Sequence, residues 1–307
     1  MGHILNQMGK SSTFIGNVLQ KWECKMKYGF NLLLWTPHVT KQHLPTIKAL
    51  KKAGYDGVEI PMFEGTPDHY AWLGDELDKL GLGRTTVSVL GAGNNPLSAD
   101  KSQRKAALDR AKWFVDCNAA LGSQILGGPM HSELGYFSGN AATKQERARG
   151  LSFHRRAGDY AAKKNVRFAL EALNRFEVYF LNTMEQLTDY LDEVDHPHVK
   201  AMYDTFHSNI EEKDPVAAIK AIKRHMIHVH ISENDRGTPG RGHVPWVETY
   251  KGLRAAKYDG WMTIEAFGRA MPAVAAATRV WRDFFPYREQ VYMEGLKNMK
   301  QGWANAK

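Results

Sequence analysis

The sequence predicts a single-domain α/β protein built as a closed (β/α)8 barrel, and three observations carry that expectation. Short β-branched or apolar runs alternate with longer stretches of helical periodicity, eight times from about residue 27 onward. Parallel strands need a crossover helix between them, so this alternation means a parallel sheet, and eight is the number of units that closes a TIM barrel. The first β–α turn, 'LLLWTPHVT', lacks the Gly-x-Gly-x-x-Gly cradle of the competing doubly wound open sheet, and 'GAGNN' at 91–95 is too short to replace it.

In order, the strand-like runs are 'YGFNLLL', 'GVEI', 'TTVSVL', 'QILGG', 'VRFALEA', 'VKAMYD', 'MIHVHI' and 'WMTIEAF'. The helical stretches that follow them are 'LPTIKALKKAG', 'HYAWLGDELDKLG', 'KSQRKAALDRAKWFVDCNAALG', 'ERARGLSFHRRAGDYAAKKN', 'TMEQLTDYLDEV', 'PVAAIKAIK', 'VETYKGLRAAKYDG' and 'AVAAATRVWRDFF'. Several end in Gly or Asn, which tolerate the left-handed conformation of a helix stop. No linker or low-complexity segment divides residues 26–307, which form one domain in this reading.

The composition, 43% hydrophobic and 24% charged over 307 residues, is ordinary globular usage. No apolar stretch approaches the roughly 20 residues that cross a bilayer. Residues 1–25 lack the basic start, apolar centre and small-residue cleavage site of a secretory signal and are expected to extend ahead of the fold, with Met26 an alternative start. Two cysteines, Cys24 and Cys117, make neither a disulfide framework nor a zinc-ligand spacing, so a reducing cytoplasm is expected. The 41 basic residues exceed the 33 acidic by eight, but they are scattered over helix-like segments rather than gathered in a run, which argues against a nucleic-acid partner.

Side chains of a barrel strand alternate between the interior and the helix layer. In 'VRFALE' Phe168 and Leu170 take the helix side, so Glu171 points inward at the strand's C-terminal end. By the same parity 'VKAMYD' ends on Asp204, 'MIHVH' on His230 and 'WMTIE' on Glu265. His228, two residues deeper, reads as a hydrogen-bonded core residue. Three carboxylates and an imidazole converging on one rim repel one another and carry a heavy desolvation cost unless a cation neutralises them. Three oxygen donors and one nitrogen suit a hard or borderline divalent ion, Mn2+ first, with Mg2+ or Co2+ as alternatives, and leave coordination positions open for a substrate.

The spaced motifs 'EALNRFE', 'DTFH', 'HVHISENDR' and 'IEAFG' resemble those of the ketose 3-epimerases, the D-tagatose, D-psicose (allulose) and L-ribulose 3-epimerase family of the xylose-isomerase-like barrels. The resemblance runs from about Met26 through the eighth unit, and 'YREQVYMEGLKNMK' is similar to the family's final helix. It implies that Glu171, Asp204, His230 and Glu265 bind a metal and that Glu171 and Glu265 are the acid/base pair. It further implies that Glu177, His207 and Arg236 hold a ketose near its first three carbons, that Trp35 supplies an apolar wall, and that the protein is a homodimer or homotetramer. The preferred ketose stays open among D-tagatose, D-fructose, D-psicose and L-ribulose, and His131 and Tyr136 are candidates for its distal end.

Three rivals share parts of this pattern. A sugar or sugar-phosphate aldose–ketose isomerase needs the same metal, with 'GTPGRGHVPW' as a phosphate loop. An abasic-site endonuclease needs further histidines after the second and third strands, where 'VEIPMF' and 'VSVLGAGNN' have none. A non-catalytic sugar-binding barrel has no use for two opposed carboxylates.

Overall fold

Alternation along eight short strands sorts the apolar residues into two cores. Outward side chains such as Phe168, Leu170, Val229, Ile231, Met262 and Ile264 pack under the helices as one continuous cluster. Inward side chains form a separate interior plug around Ile125, Ala169 and Met202. The computed structural model describes residues 26–306; the expected N-terminal extension over 1–25, with Cys24, lies outside the described residues. The strands are β1 (Lys27–Asn31), β2 (Gly57–Pro61), β3 (Gly83–Val87), β4 (Ile125–Gly128), β5 (Arg167–Glu171), β6 (Val199–Asp204), β7 (Met226–Ile231) and β8 (Trp261–Ile264). They pair in sequence order, all parallel, and β8 closes on β1.

The main crossover helices are α1 (Leu44–Ala53), α2 (Pro67–Lys79), α3 (Lys101–Leu121), α4 (Lys144–Ala162) and α5 (Met184–Val194). After β6 come α6 (Thr205–Glu211) and α7 (Pro215–Ile222), then α8 (Trp246–Ala255), α9 (Pro272–Thr278) and the terminal α10 (Arg288–Asn305). Their starts are chemically marked: Thr66, Asp100 and Asp214 accept from first-turn N–H groups, and Thr143 with Glu146 and Thr183 with Gln186 form reciprocal caps. Each such cap is worth about 1 kcal/mol. Gly54 and Gly122 end α1 and α3 at φ 101° and 75°, where a Cβ is disfavoured. Among the described residues no helix is long and apolar enough to cross a membrane.

Local chemistry moves three boundaries from their sequence-based positions. β1 stops at Asn31 rather than running through 'LLL', because the Asn31 side chain accepts from Leu33 N–H at 2.9 Å and turns Leu32–Leu34 into a 3-10 turn. α6 was not expected; the Asp204 carboxylate accepts from His207 N–H at 2.9 Å and caps it. α9 ends at Thr278 instead of continuing to Phe285, since Arg279 is left-handed (φ 60°) and lets Val280 drop into an apolar cluster with Leu33, Val87 and Phe267.

The bottom of the barrel is closed by the Trp261 indole, which lies over the paired Gly57 and Gly83. A Cβ at Gly83 would sit 2.7 Å from two Trp261 ring carbons. Gly83→Ala is therefore expected to destabilise the fold by about 1–3 kcal/mol, and adding Trp261→Leu to recover part of that loss; urea unfolding of the three variants checks the coupling.

Candidate active site

The strand ends supply the chemistry. Glu171 is the last residue of β5, Asp204 the last of β6 and His230 the penultimate residue of β7, while Glu265 follows β8 with its N–H on Ile231 O. Register places Asp204 beside His230. His230 Nδ1 lies 3.5 Å from Asp204 Oδ2, 3.5 Å from Glu265 Oε1 and 3.9 Å from Glu171 Oε1. One donor atom from each of the four lies within 4.8 Å of all the others, and all four residues are buried.

This donor set fits a divalent cation on its own chemistry. Glu171 Oε1, Asp204 Oδ2 and His230 Nδ1 are buried, face the same point and have no hydrogen-bond partner; buried polar groups left so are rare and costly. Burial, reinforced by the charge of Asp204, pushes the Glu171 carboxyl well above the usual carboxylate range. Burial also opposes ionisation of Asp204 and Glu265, yet their contacts with His230 hold both below that range. Burial disfavours a charged His230, but Glu59 and Glu265 overcome it and raise its pKa well above the ordinary value. In the absence of an ion, the burial and mutual repulsion of the acids thus favour the protonated forms of Glu171 and His230.

A second set of groups surrounds the four. Asn31 Nδ2 donates to Glu265 Oε1 at 3.0 Å, and Arg236 Nη1 donates to Glu265 Oε2 at 2.7 Å. The Arg236 guanidinium lies 3.7 Å from the centre of the Phe206 ring, and its Nη2 is 2.9 Å from His207 Nε2. Its backbone is left-handed (φ 65°), a strain of roughly 1 kcal/mol, and is held there by Arg236 N–H on Glu233 O and Phe267 N–H on Arg236 O. His207 Nδ1 accepts from Asn174 N–H at 3.0 Å, and burial together with the Arg236 charge lowers its pKa to about 3, so the ring is neutral. Glu177 Oε1 accepts from Asn174 Nδ2 at 2.8 Å. Burial raises the Glu177 carboxyl above its usual value, against the pull of Arg236.

Glu171, Glu177, His207, Arg236 and Glu265 all line one cavity of about 290 Å³ at the barrel mouth. Its far wall is apolar: Leu33, Phe63, Val87, Leu134 and Phe267, roofed by Val274 and Ala277 of α9. Three expectations need correction. Trp35 packs on Phe30 (5.1 Å) and Tyr292 (6.4 Å) and lines a neighbouring hollow, leaving Leu33 and Pro37 as the wall from this segment. His131 is fully buried, its Nε2 3.0 Å from the Glu171 carbonyl, so it braces the end of β5 from behind. Tyr136 sits outside the cavity against Tyr179, with 44% of its surface exposed.

The sequence reading also missed three residues. Glu59 of β2 lies 2.6 Å from His230 Nε2 and 2.8 Å from His228 Nε2, and it was readable as an acid of inward parity within 'GVEI'. Asn31 and Asn174 carry no comparable signal, since each acts through contacts made by a distant segment.

Residues 47–301 match the family described as xylose isomerase-like TIM barrel. A probable ketose 3-epimerase of Synechocystis sp. is 33% identical over 287 residues, covering 90% of this chain and 96% of the relative. A D-psicose 3-epimerase of Enterocloster bolteae is 32% identical, over 85% of this chain and 89% of its own. A Methylomonas sp. D-allulose 3-epimerase solved in complex with D-allulose superposes with a TM-score of 0.84 at 28% identity, covering 90% and 96% of the two chains. The chain belongs to the ketose 3-epimerase family of the xylose isomerase-like TIM barrels. It is by that kinship a sugar epimerase, an enzyme of the isomerase class.

Cation binding needs deprotonated carboxylates and a neutral imidazole, against the direction in which Glu171 and His230 are shifted. Titrating Mn2+ into stripped protein in buffers of different ionisation enthalpy is expected to show net proton release and an affinity that rises with pH, and a saturating ion to raise the unfolding temperature.

Proposed function

We propose that the enzyme interconverts free ketoses at C3, with Glu171 and Glu265 as the acid/base pair. The observation that carries this is the approach of these two carboxylates, from the end of β5 and from just after β8, to one sugar-sized cavity, 3.9 and 3.5 Å from His230 Nδ1. Epimerisation removes the C3 proton beside the C2 carbonyl and returns one to the opposite face, so one carboxylate per face suffices. Glu171, Asp204, His230 and Glu265 would hold the divalent ion, most suitably Mn2+ with Mg2+ or Co2+ as alternatives, which when bound supplies Lewis-acid stabilisation of the negative charge at O2 and O3.

The surroundings of the two acids divide their work. Glu265 accepts from Asn31 and Arg236 and is thereby held as an oriented carboxylate. Glu171 lines the same cavity, and its Oε1 has no hydrogen bond to fix it in one orientation. Arg236 and His207 offer donors to the oxygens nearest the reacting carbon, and Glu177, on the cavity wall, orients a hydroxyl. The substrate is a small free ketose; the Methylomonas relative holds D-allulose and a D-psicose 3-epimerase from Clostridium cellulolyticum H10 holds D-tagatose. A homodimer or homotetramer in a reducing compartment completes the reading, with Cys117 a buried free thiol.

The loop proposed for phosphate argues for unphosphorylated sugars. Glu233 Oε2 accepts from Gly240 N–H (2.7 Å) and Trp246 Nε1 (3.0 Å), and Oε1 from Val244 N–H (3.1 Å). Two of the loop's backbone donors, those of Gly240 and Val244, are thus already bound to the chain's own acid. The endonuclease alternative lacks its ligands, since β2 ends on Pro61 and β3 on Val87.

In D2O every product molecule is expected to carry deuterium at C3 by NMR or mass spectrometry, and protium at that carbon would overturn the two-base scheme. Glu171→Gln and Glu265→Gln are each expected to lower kcat about 10²–10⁴-fold. A panel of ketoses and their phosphates is expected to show turnover of the free sugars, and a phosphate ester turned over faster would reverse the assignment.

A further inference from the structure

We propose that Glu59 is a positioning residue: from β2, across the barrel interior, it fixes the tautomer and ring orientation of His230 so that Nδ1 presents its lone pair to the metal site. The inference rests on the metal-site reading above, and it concerns a side chain that touches neither the cavity nor the reacting atoms.

Glu59 and His228 are fully buried beneath the rim cluster, as is His230, which belongs to both groups. Glu59 Oε1 stands 2.6 Å from His230 Nε2, while Glu59 Oε2 accepts from Thr85 Oγ1 at 2.8 Å and lies 2.8 Å from His228 Nε2. A carboxylate only accepts, so the proton of a neutral His230 belongs on Nε2. Nδ1 is then bare, and it is this nitrogen that faces Asp204, Glu171 and Glu265 with no hydrogen bond of its own. The arrangement is the carboxylate–histidine pair that orients metal ligands and raises their basicity. Its span is demanding, because β2 and β7 are separated by β1 and β8 around the barrel.

The three buried side chains also have the composition of a second metal site. Their spacing rejects it. Two ligands about 2.1 Å from a shared tetrahedral ion stand about 3.4 Å apart, whereas Glu59 Oε1 lies at hydrogen-bond length, 2.6 Å, from His230 Nε2 and Glu59 Oε2 lies only 2.8 Å from His228 Nε2, which makes no hydrogen bond.

The test compares wild type and Glu59→Gln, which keeps the shape of the side chain and removes its charge. Calorimetric titration of the stripped proteins with Mn2+ is expected to show 10–100-fold weaker binding in the variant, and a smaller Mn2+-induced rise in unfolding temperature. A merely structural role would lower the stripped and loaded unfolding temperatures equally and leave that difference unchanged. Should Glu59→Gln not fold, 15N-histidine NMR of Mg2+-loaded wild type decides: a proton on His230 Nε2 supports the proposal and one on Nδ1 overturns it. Equal Mn2+ affinity in wild type and folded Glu59→Gln overturns this proposal alone. A wild type that binds no Mn2+ overturns it together with the metal-site reading.

Discussion

Everything at the mouth of this barrel answers to one electrostatic constraint: three buried carboxylates converge on a single imidazole nitrogen with too few donors among them. Taking one such charge from water into protein costs several kcal/mol, and three together require either protons or a cation. The chain supplies partial relief in two places. Arg236 and Asn31 cover Glu265 from above and beside, and the Glu59 pair holds His230 from below. What they leave uncovered is the set of donor atoms a divalent ion would use.

The barrel makes this convergence possible because strand alternation carries a side chain inward at every second position, and parallel register puts the last inward position of each strand at one end. Asp204 pairs with His230 and His230 with Thr263, so the acid that ends β6 and the one just past β8, Glu265, both reach the imidazole. Below, the interior changes character within a few residues, from charged at the rim, through the Glu59–histidine layer, to the Trp261 plug over two glycines. Among the described residues the Trp261 plug thus lies between the polar layer and the N-terminal end, and the site opens toward α9 and the β–α loops.

Much of this was legible in the sequence because it is periodic. The eight β–α units and the four metal-capable strand ends follow from alternation alone, which each strand carries locally. What escaped was written by contacts between distant segments or by a single side chain. The end of β1 depends on Asn31 bonding the backbone two residues on, and the start of α6 on Asp204, a residue already read as a ligand, also serving as a cap. The cavity wall was misassigned to Trp35 because an aromatic after β1 looks alike whether it faces the mouth or, as here, Tyr292 of α10. Glu59 followed the same parity rule as the other acids, and was passed over because it lies inside its strand rather than at its end.

The loop built around Glu233 bears on how the specificity of such a barrel can change. Because a resident carboxylate already occupies the amide nest, installing arginines nearby would not create an ester-phosphate pocket; the acid would have to be vacated first. Vacating it would strand the amides of Gly240 and Val244 together with the Trp246 indole. A phosphate seated on this loop would therefore have to displace Glu233 first, a step that costs fold stability before it yields a contact.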